Sequence, residues 1–230
     1  MPRASIFPIA LMIPFTFIGC GDSNTNVNQN PGVPGDNAPF TKESNSDSSP
    51  NSRPIQSKIK FKDGDGENAF SVKRREDGFD LLDHAEQTIV NFHLVDNRLK
   101  IKTLEGSELG DVTFSNQKFK IQDATKPEQF WNFKMQIDGD WKLEDQNDQL
   151  LGKIKKRDYG YEIEDPTGRS LYKSKLKDGQ YSLRDSSDTT RYYTRDNATS
   201  LAIACIGFDA LEPLHIKAAL MTMVLELGQQ

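Results

Sequence analysis

The tightest constraint on this chain is an internal ladder running from Ile59 to about Thr194. Seven pentads share one pattern: a bulky apolar residue, a polar one, a second apolar one, any residue, then usually Asp. They are Ile59-Lys-Phe-Lys-Asp63, Phe79-Asp-Leu-Leu-Asp83, Leu99-Lys-Ile-Lys-Thr103, Phe119-Lys-Ile-Gln-Asp123, Trp141-Lys-Leu-Glu-Asp145, Tyr161-Glu-Ile-Glu-Asp165 and Tyr181-Ser-Leu-Arg-Asp185. Starts at 59, 79, 99, 119, 141, 161 and 181 give a spacing of 20 residues, broken once by 22. A fixed period of this kind sets the architecture before any single residue does.

Each pentad alternates apolar and polar residues, which puts its two apolar side chains on one face of a strand. The unit at 161 shows the full plan. Asp165-Pro166-Thr167-Gly168 forms a turn, because Pro presets φ, Gly tolerates positive φ, and the Asp side chain caps local amides. Leu171 to Leu176 is the returning strand, and Lys177-Asp178-Gly179 turns the chain into Tyr181. Asp77-Gly78, Asp96-Asn97, Asp138-Gly139 and Asp158-Tyr159-Gly160 are hairpin signals between the other units. The pattern predicts a mainly β protein, an antiparallel meander of about fourteen strands from seven units of two. Seven two-stranded units fit four-stranded propeller blades poorly.

The recurring Asp has an alternative reading as a cation site. Asp63-Gly64-Asp65-Gly66-Glu67 lacks the twelve-residue ligand spacing of an EF-hand, so turn capping is the reading adopted. Phe79, Phe119, Trp141, Tyr161 and Tyr181 share a face with Ile and Leu. They read as core rather than as a stacking platform.

After Asp196-Asn197 the pattern changes. Ala198 to Leu211 is apolar on all sides, Asn197 or Thr199 can cap a helix, Glu212-Pro213 interrupts, and Leu214 to Leu227 is apolar again. Both runs are short for spanning a membrane, and Asp209, Glu212, His215 and Lys217 fall between or within them. A sheet that closes into a barrel around this hydrophobic C-terminal helical segment removes its edges and buries its apolar face.

The first 19 residues read as a signal peptide. Arg3 precedes an apolar run from Ile6 to Ile18, and Phe17-Ile18-Gly19-Cys20 resembles a bacterial lipobox. That resemblance implies cleavage before Cys20 and its lipidation, with Phe17 standing where Leu is usual. An unmodified Cys20 is the alternative. Gly21, with no Asp after Cys20, points to an outer membrane where the cell has one. Residues 20–56 are rich in Asn, Ser, Gly, Pro and Asp, and this composition predicts a disordered tether ahead of a folded domain over 57–230. Cys205, among Ala and Ile, reads as a buried thiol, and its pairing with Cys20 is the minor alternative.

With 34 acidic and 29 basic residues the formal charge is -5, which argues against nucleic acid as a partner. Lys73, Arg74 and Arg75, with Lys153, Lys155 and Arg157 and with Lys173 to Lys177, form local basic stretches that can meet phosphate headgroups or merely face water. His84, His93 and His215 have no ligand spacing, and no nucleophile elbow, P-loop or dinucleotide fingerprint occurs. No catalytic residue, metal or cofactor is assigned. A hydrolase would need His84 or His93 to meet an acid and a nucleophile through the fold.

Over about Ser57 to Gly228 the chain resembles the Tubby C-terminal-like superfamily, which includes LURP-one-related proteins and phospholipid scramblases. The resemblance lies in Tyr161-Glu-Ile-Glu-Asp165-Pro-Thr-Gly168-Arg-Ser-Leu171, in Tyr181-Ser-Leu-Arg-Asp185, and in apolar Leu201 to Phe208 followed by Asp209. It implies a barrel of twelve strands enclosing a hydrophobic C-terminal helix, and members that bind phosphoinositides or associate with lipid. The resulting expectation is a membrane-tethered, non-enzymatic protein of the bacterial cell envelope with a binding or structural role. Phospholipid binding, transfer or scrambling is the alternative, and the expected partners are the membrane, a phospholipid or an envelope protein.

Overall fold

The computed structural model describes residues 57–227; the signal-like segment, Cys20 and the polar stretch to residue 56 lie outside the described residues. Fourteen strands follow in order and pair antiparallel with their chain neighbours. The first eight are β1 (Lys58–Asp63), β2 (Asn68–Arg75), β3 (Gly78–Leu82), β4 (Thr88–Val95), β5 (Arg98–Lys102), β6 (Glu108–Ser115), β7 (Lys118–Asp123) and β8 (Phe130–Met135). The rest are β9 (Trp141–Glu144), β10 (Leu150–Arg157), β11 (Gly160–Glu164), β12 (Ser170–Lys177), β13 (Gln180–Asp185) and β14 (Thr190–Thr194). β14 returns to β1 through Lys62↔Tyr193 and Asp63↔Tyr192, and the meander closes into a barrel.

Strand alternation sorts the side chains. In β1, Ile59 and Phe61 are buried inside while Lys60 and Lys62 face out. The same division repeats in β7 (Phe119 and Ile121 buried, Lys120 exposed). An apolar lumen and a charged outer wall invert the polarity of a membrane-spanning barrel, which is apolar outside.

The barrel is filled by two short helices where the sequence suggested one principal helix. α1 (Ser200–Cys205) is much shorter than the apolar run from Ala198 to Leu211, and α2 (Leu214–Leu227) is the longer element. Thr199 caps α1, its Oγ1 accepting from the Ala202 amide at 3.1 Å. α1 packs on β11, β12 and β13, and α2 packs on β5, β6 and β7. Ala202, Ala204, Ala218 and Ala219 are wholly buried, and α1 packs against α2. Met221 and Met223 adapt to the irregular space between helix and wall.

The aromatic pentad residues form much of the inner wall. Phe133 stacks on Trp141 with ring centroids 4.6 Å apart, and Phe208 meets Phe133 edge-on at 5.6 Å. Burying a side chain of this size contributes about 2–3 kcal/mol. Lys217 is buried in α2, but its Nζ donates to Glu212 Oε1 at 2.8 Å, which satisfies the charge.

The barrel has two distinct ends. At the capped end lie the seven turns that follow the pentads. The Oδ1 atoms of Asp63, Asp83, Asp145, Asp165 and Asp185 each accept from the amides two and four residues on, at 2.9–3.0 Å. Thr103 does part of this job through Oγ1, accepting from the Ser107 amide. The third residue after the pentad has positive φ in six of these turns: Gly66, Glu86, Gly106, Asp148, Gly168 and Asp188. A register shift accompanies the same six hairpins and helps to curve the sheet.

The β7–β8 hairpin is the exception and has no such shift. Its turn spans 124–129, and the next one spans 136–140, so the two extra residues of the 22-residue spacing fall in this unit. At the opposite, Ser57 end, the Ser57 carbonyl accepts from the Arg74 amide at 2.8 Å as the chain runs into β1. α1 starts from this end, and α2 returns to it, where Arg74 Nη1 meets Glu226 Oε1 at 2.7 Å.

Candidate functional site

The closing of β14 onto β1 brings together cations that are far apart in sequence. Lys58, Lys60 and Lys62 point outward from β1. Arg191 and Tyr193 alternate on the outer side of β14, and Arg195 follows it. Ser182 and Arg184 do the same on β13, beside Lys173, Lys175 and Lys177 of β12. The result is a basic face across four adjacent strands.

Two shallow clefts lie on this face and share Arg195. One, of about 220 Å³, is lined by Lys60, Lys62, Tyr193, Thr194, Arg195 and Asp196. The other, of about 300 Å³, includes Lys175, Lys177, Gln180, Ser182 and Arg184. Among the described residues, Lys62, Lys73, Lys177, Arg191 and Arg195 form no ion pair with a carboxylate. Burial, followed by the like charges of Lys60 and Lys73, pushes the Lys58 ammonium below its ordinary range, although Glu86 lies against it. A cluster of cations that crowd one another favours an incoming anion.

The acids on this face have local jobs. Asp196 Oδ2 accepts from the Lys60 amide at 2.7 Å and so clips the seam. Asp188 pairs with Lys175 at 2.7 Å and Arg184 at 3.2 Å; the hydrogen bond from Lys175 leads in holding its carboxyl below the usual range. Glu86 pairs with Lys60 at 3.2 Å. Arg195 offers a planar fork of donors and the lysines offer point charges, a combination suited to phosphate oxygens.

Of the cations singled out from sequence, Lys173, Lys175 and Lys177 lie on this face and Lys73 joins it, paired in register with Lys58. Its neighbours do other things. Arg74 closes over the end of α2, with its guanidinium 5.3 Å above the Phe79 ring as well as bonded to Glu226. Arg75 lies against Asp80 at 3.0 Å and Asp77 at 3.5 Å. Lys153, Lys155 and Arg157 sit on β10, away from the seam. Lys155 pairs with Glu164 at 2.8 Å, Arg157 pairs with Glu162 at 3.0 Å and Glu164 at 3.5 Å, and Lys153 stands between Lys142 and Glu164 in register.

Sequence reading missed Lys60, Lys62, Arg191 and Arg195. Their signal was present as two alternating runs, Lys58-x-Lys60-x-Lys62 and Arg191-x-Tyr193-x-Arg195. Closure of the expected meander makes the first and last strands neighbours; what was hidden is the register that sets Lys62 beside Tyr193.

The histidines do not converge. His84 lies in a turn at the capped end, His93 lies on β4 with Nδ1 3.1 Å from Asp77 Oδ2, and His215 lies at the start of α2. Burial lowers the His215 pKa, against a smaller upward pull from Asp123. Among the described residues no group of His, Cys, Asp or Glu is placed to hold a metal ion. Cys205 is fully buried, and burial pushes its thiol up into an unreactive range.

No family model matches this chain, and comparison with curated proteins and with solved structures also gave no match. In general shape, a fourteen-stranded antiparallel barrel with a C-terminal helix is consistent with Tubby-like and scramblase-type barrels, two strands beyond the twelve that the resemblance implied.

Proposed function

We propose that this protein is a non-enzymatic, lipid-binding barrel that works at a membrane surface in the bacterial cell envelope, where lipidated Cys20 and the polar segment to residue 56 hold it. In this reading the seam face binds the phosphate groups of anionic phospholipids. The observation that carries it is the group of cations around Arg195 with no carboxylate partner among the described residues.

The filled interior supports surface binding over internal carriage of a lipid chain. The lumen is occupied by α1 and α2, and the cleft bordered by Arg74, Phe79, Leu225 and Glu226 holds only about 10 Å³. No helix among the described residues is long and apolar enough to cross a membrane.

The test uses the full chain carrying Cys20→Ser, so that an anchor does not mask weaker contacts. It should co-sediment with vesicles containing phosphatidylglycerol and much less with pure phosphatidylcholine. At about 1 kcal/mol per basic residue near an anionic surface, Lys62→Ala with Arg195→Ala should weaken binding roughly thirtyfold. Lys142→Ala with Lys153→Ala, on another part of the wall, should cost far less. Equal binding to both vesicle types, or an unaffected Lys62/Arg195 double variant, would sink the reading. Mass spectrometry of the membrane fraction tests the anchor separately, by looking for diacylglycerol on Cys20.

A further inference from the structure

The outer wall is charged, yet one sector of one rim also carries large apolar side chains. At the Ser57 end, three successive hairpins each present a large exposed apolar side chain. Met135 and Ile137 stand on the β8–β9 hairpin, Tyr159 on β10–β11 and Leu176 on β12–β13. Ile137 is wholly exposed, on the hairpin of the unit where the 20-residue period breaks. Strand packing does not require it there. Val95 is a fifth exposed apolar residue on this rim, on a fourth hairpin, while Ile89 and Leu104 lie singly toward the capped end.

The surroundings match a water–lipid boundary. Lys175 Nζ lies 5.8 Å from the centre of the Tyr159 ring, and the cleft bordered by Lys177 and Arg195 adjoins the β12–β13 hairpin. Long basic side chains beside apolar ones can extend their heads toward phosphates while their stems stay with the hydrocarbon. Asp138, Asp158 and Asp178 occupy the same hairpins, and their charge keeps the contact shallow. Asp138 is also used internally, capping the Asp140 amide at 3.1 Å.

The place where the chain comes in selects the occupant. The 36 residues 21–56 separate Cys20 from Ser57, which lies at this rim. The tether expected from composition would span roughly 30–35 Å as a flexible chain of that length, so an anchored Cys20 would hold this end within reach of the bilayer.

We propose that the Ser57 end is the membrane-docking face, with the β8–β9, β10–β11 and β12–β13 hairpins seated in the headgroup layer of a phospholipid bilayer. The proposal rests on the reading of the protein as membrane-bound and adds its orientation. The basic seam face then stands beside the docked rim, next to the surface it binds.

The test compares Ile137→Trp with Leu104→Trp, an exposed apolar position at the capped end. Each is made in the full chain, with Cys20 or with Cys20→Ser. Both are mixed with excess vesicles of phosphatidylglycerol and brominated phosphatidylcholine. Trp131 and Trp141 are buried and give a constant background. With insertion of about 5–10 Å, the emission added by Ile137→Trp should shift blue and fall roughly by half, while that added by Leu104→Trp holds. Quenching equal at both positions, stronger at Leu104→Trp, or absent at both overturns the docking face. Flotation read in parallel separates the anchor. If the Cys20 chain floats no better than Cys20→Ser, the anchor fails, while quenching at Ile137→Trp still decides the rim.

Discussion

The two ends of the barrel are built from the same strands but to different rules. At the capped end, one device recurs: an acceptor oxygen placed over the amides of a four-residue turn, with a left-handed residue third. At the Ser57 end, turns differ in length and type. Asn116-Gln117 and Asp178-Gly179 have two successive positive φ angles, whereas 136–140 is a five-residue loop. Uniformity marks a structural job repeated in six of the seven turns. Variety marks an end on which something other than strand connection acts, and it is there that apolar side chains face water.

The contrast can be broken first at the glycines. A Cβ on Gly160, at the Ser57 end, would lie 2.3 Å from the Ser174 carbonyl oxygen with φ at +137°. Gly106, at the capped end, has φ at +90° but open space around it. Gly160→Val should therefore cost 3 kcal/mol or more (~3–5) in urea unfolding, and Gly106→Ala about 1 kcal/mol. Equal losses would mean that the close approach of the Ser174 carbonyl does not set the cost at Gly160.

Next come the acids. Asp145→Ala at the capped end strips two amides of their acceptor and should cost about 1–2 kcal/mol, most of it recovered by Asp145→Asn. Asp158→Ala at the Ser57 end should change unfolding by less than about 0.5 kcal/mol.

A titration sharpens the picture at the capped end, where His215 lies near Asp123. Burial lowers its folded pKa below the ordinary value, so the unfolded chain binds its proton first as pH falls. Its stabilising contribution is fully present above about pH 6.5 and is lost as pH falls from there toward the folded pKa. His215→Gln should flatten that part of the stability–pH curve measured by thermal unfolding; an unchanged slope would assign the titration elsewhere.

The smallest effect on stability is the most telling for function. Ile137→Ser should leave unfolding unchanged within about 0.5 kcal/mol and yet weaken vesicle binding. A loss of stability without a loss of binding would return Ile137 to the core.

The repeat made the fold legible. Ile59 and Phe61 announce an inner face by alternation alone, and Asp165 with Gly168 announces a turn. The barrel with its apolar C-terminal filling follows from the need to hide fourteen strands' worth of apolar face. Other features were not local enough to read. Only chain closure makes Lys62 a neighbour of Tyr193, so the basic seam was split between the two ends of the ladder. Arg74 and Arg75 looked like surface charge until Glu226 and Asp80 were placed beside them. The apolar run to Leu211 overstated α1, because Gly207 and Phe208 pack inside as irregular chain after Cys205.

The order of the elements carries a last consequence. The helices that fill the lumen come after the final strand, and the first and last strands are joined by the shortest ladder in the barrel, two paired positions against four to six elsewhere. A sealed cylinder could not admit α1 and α2. We infer that the sheet stays an open, curling ribbon until the C-terminal helices have docked on it, so that amides of the β1–β14 seam gain hydrogen-exchange protection after those of the other ladders during refolding. Closure then traps the chain's own tail, so a protein released before residue 200 would have walls and nothing to close on.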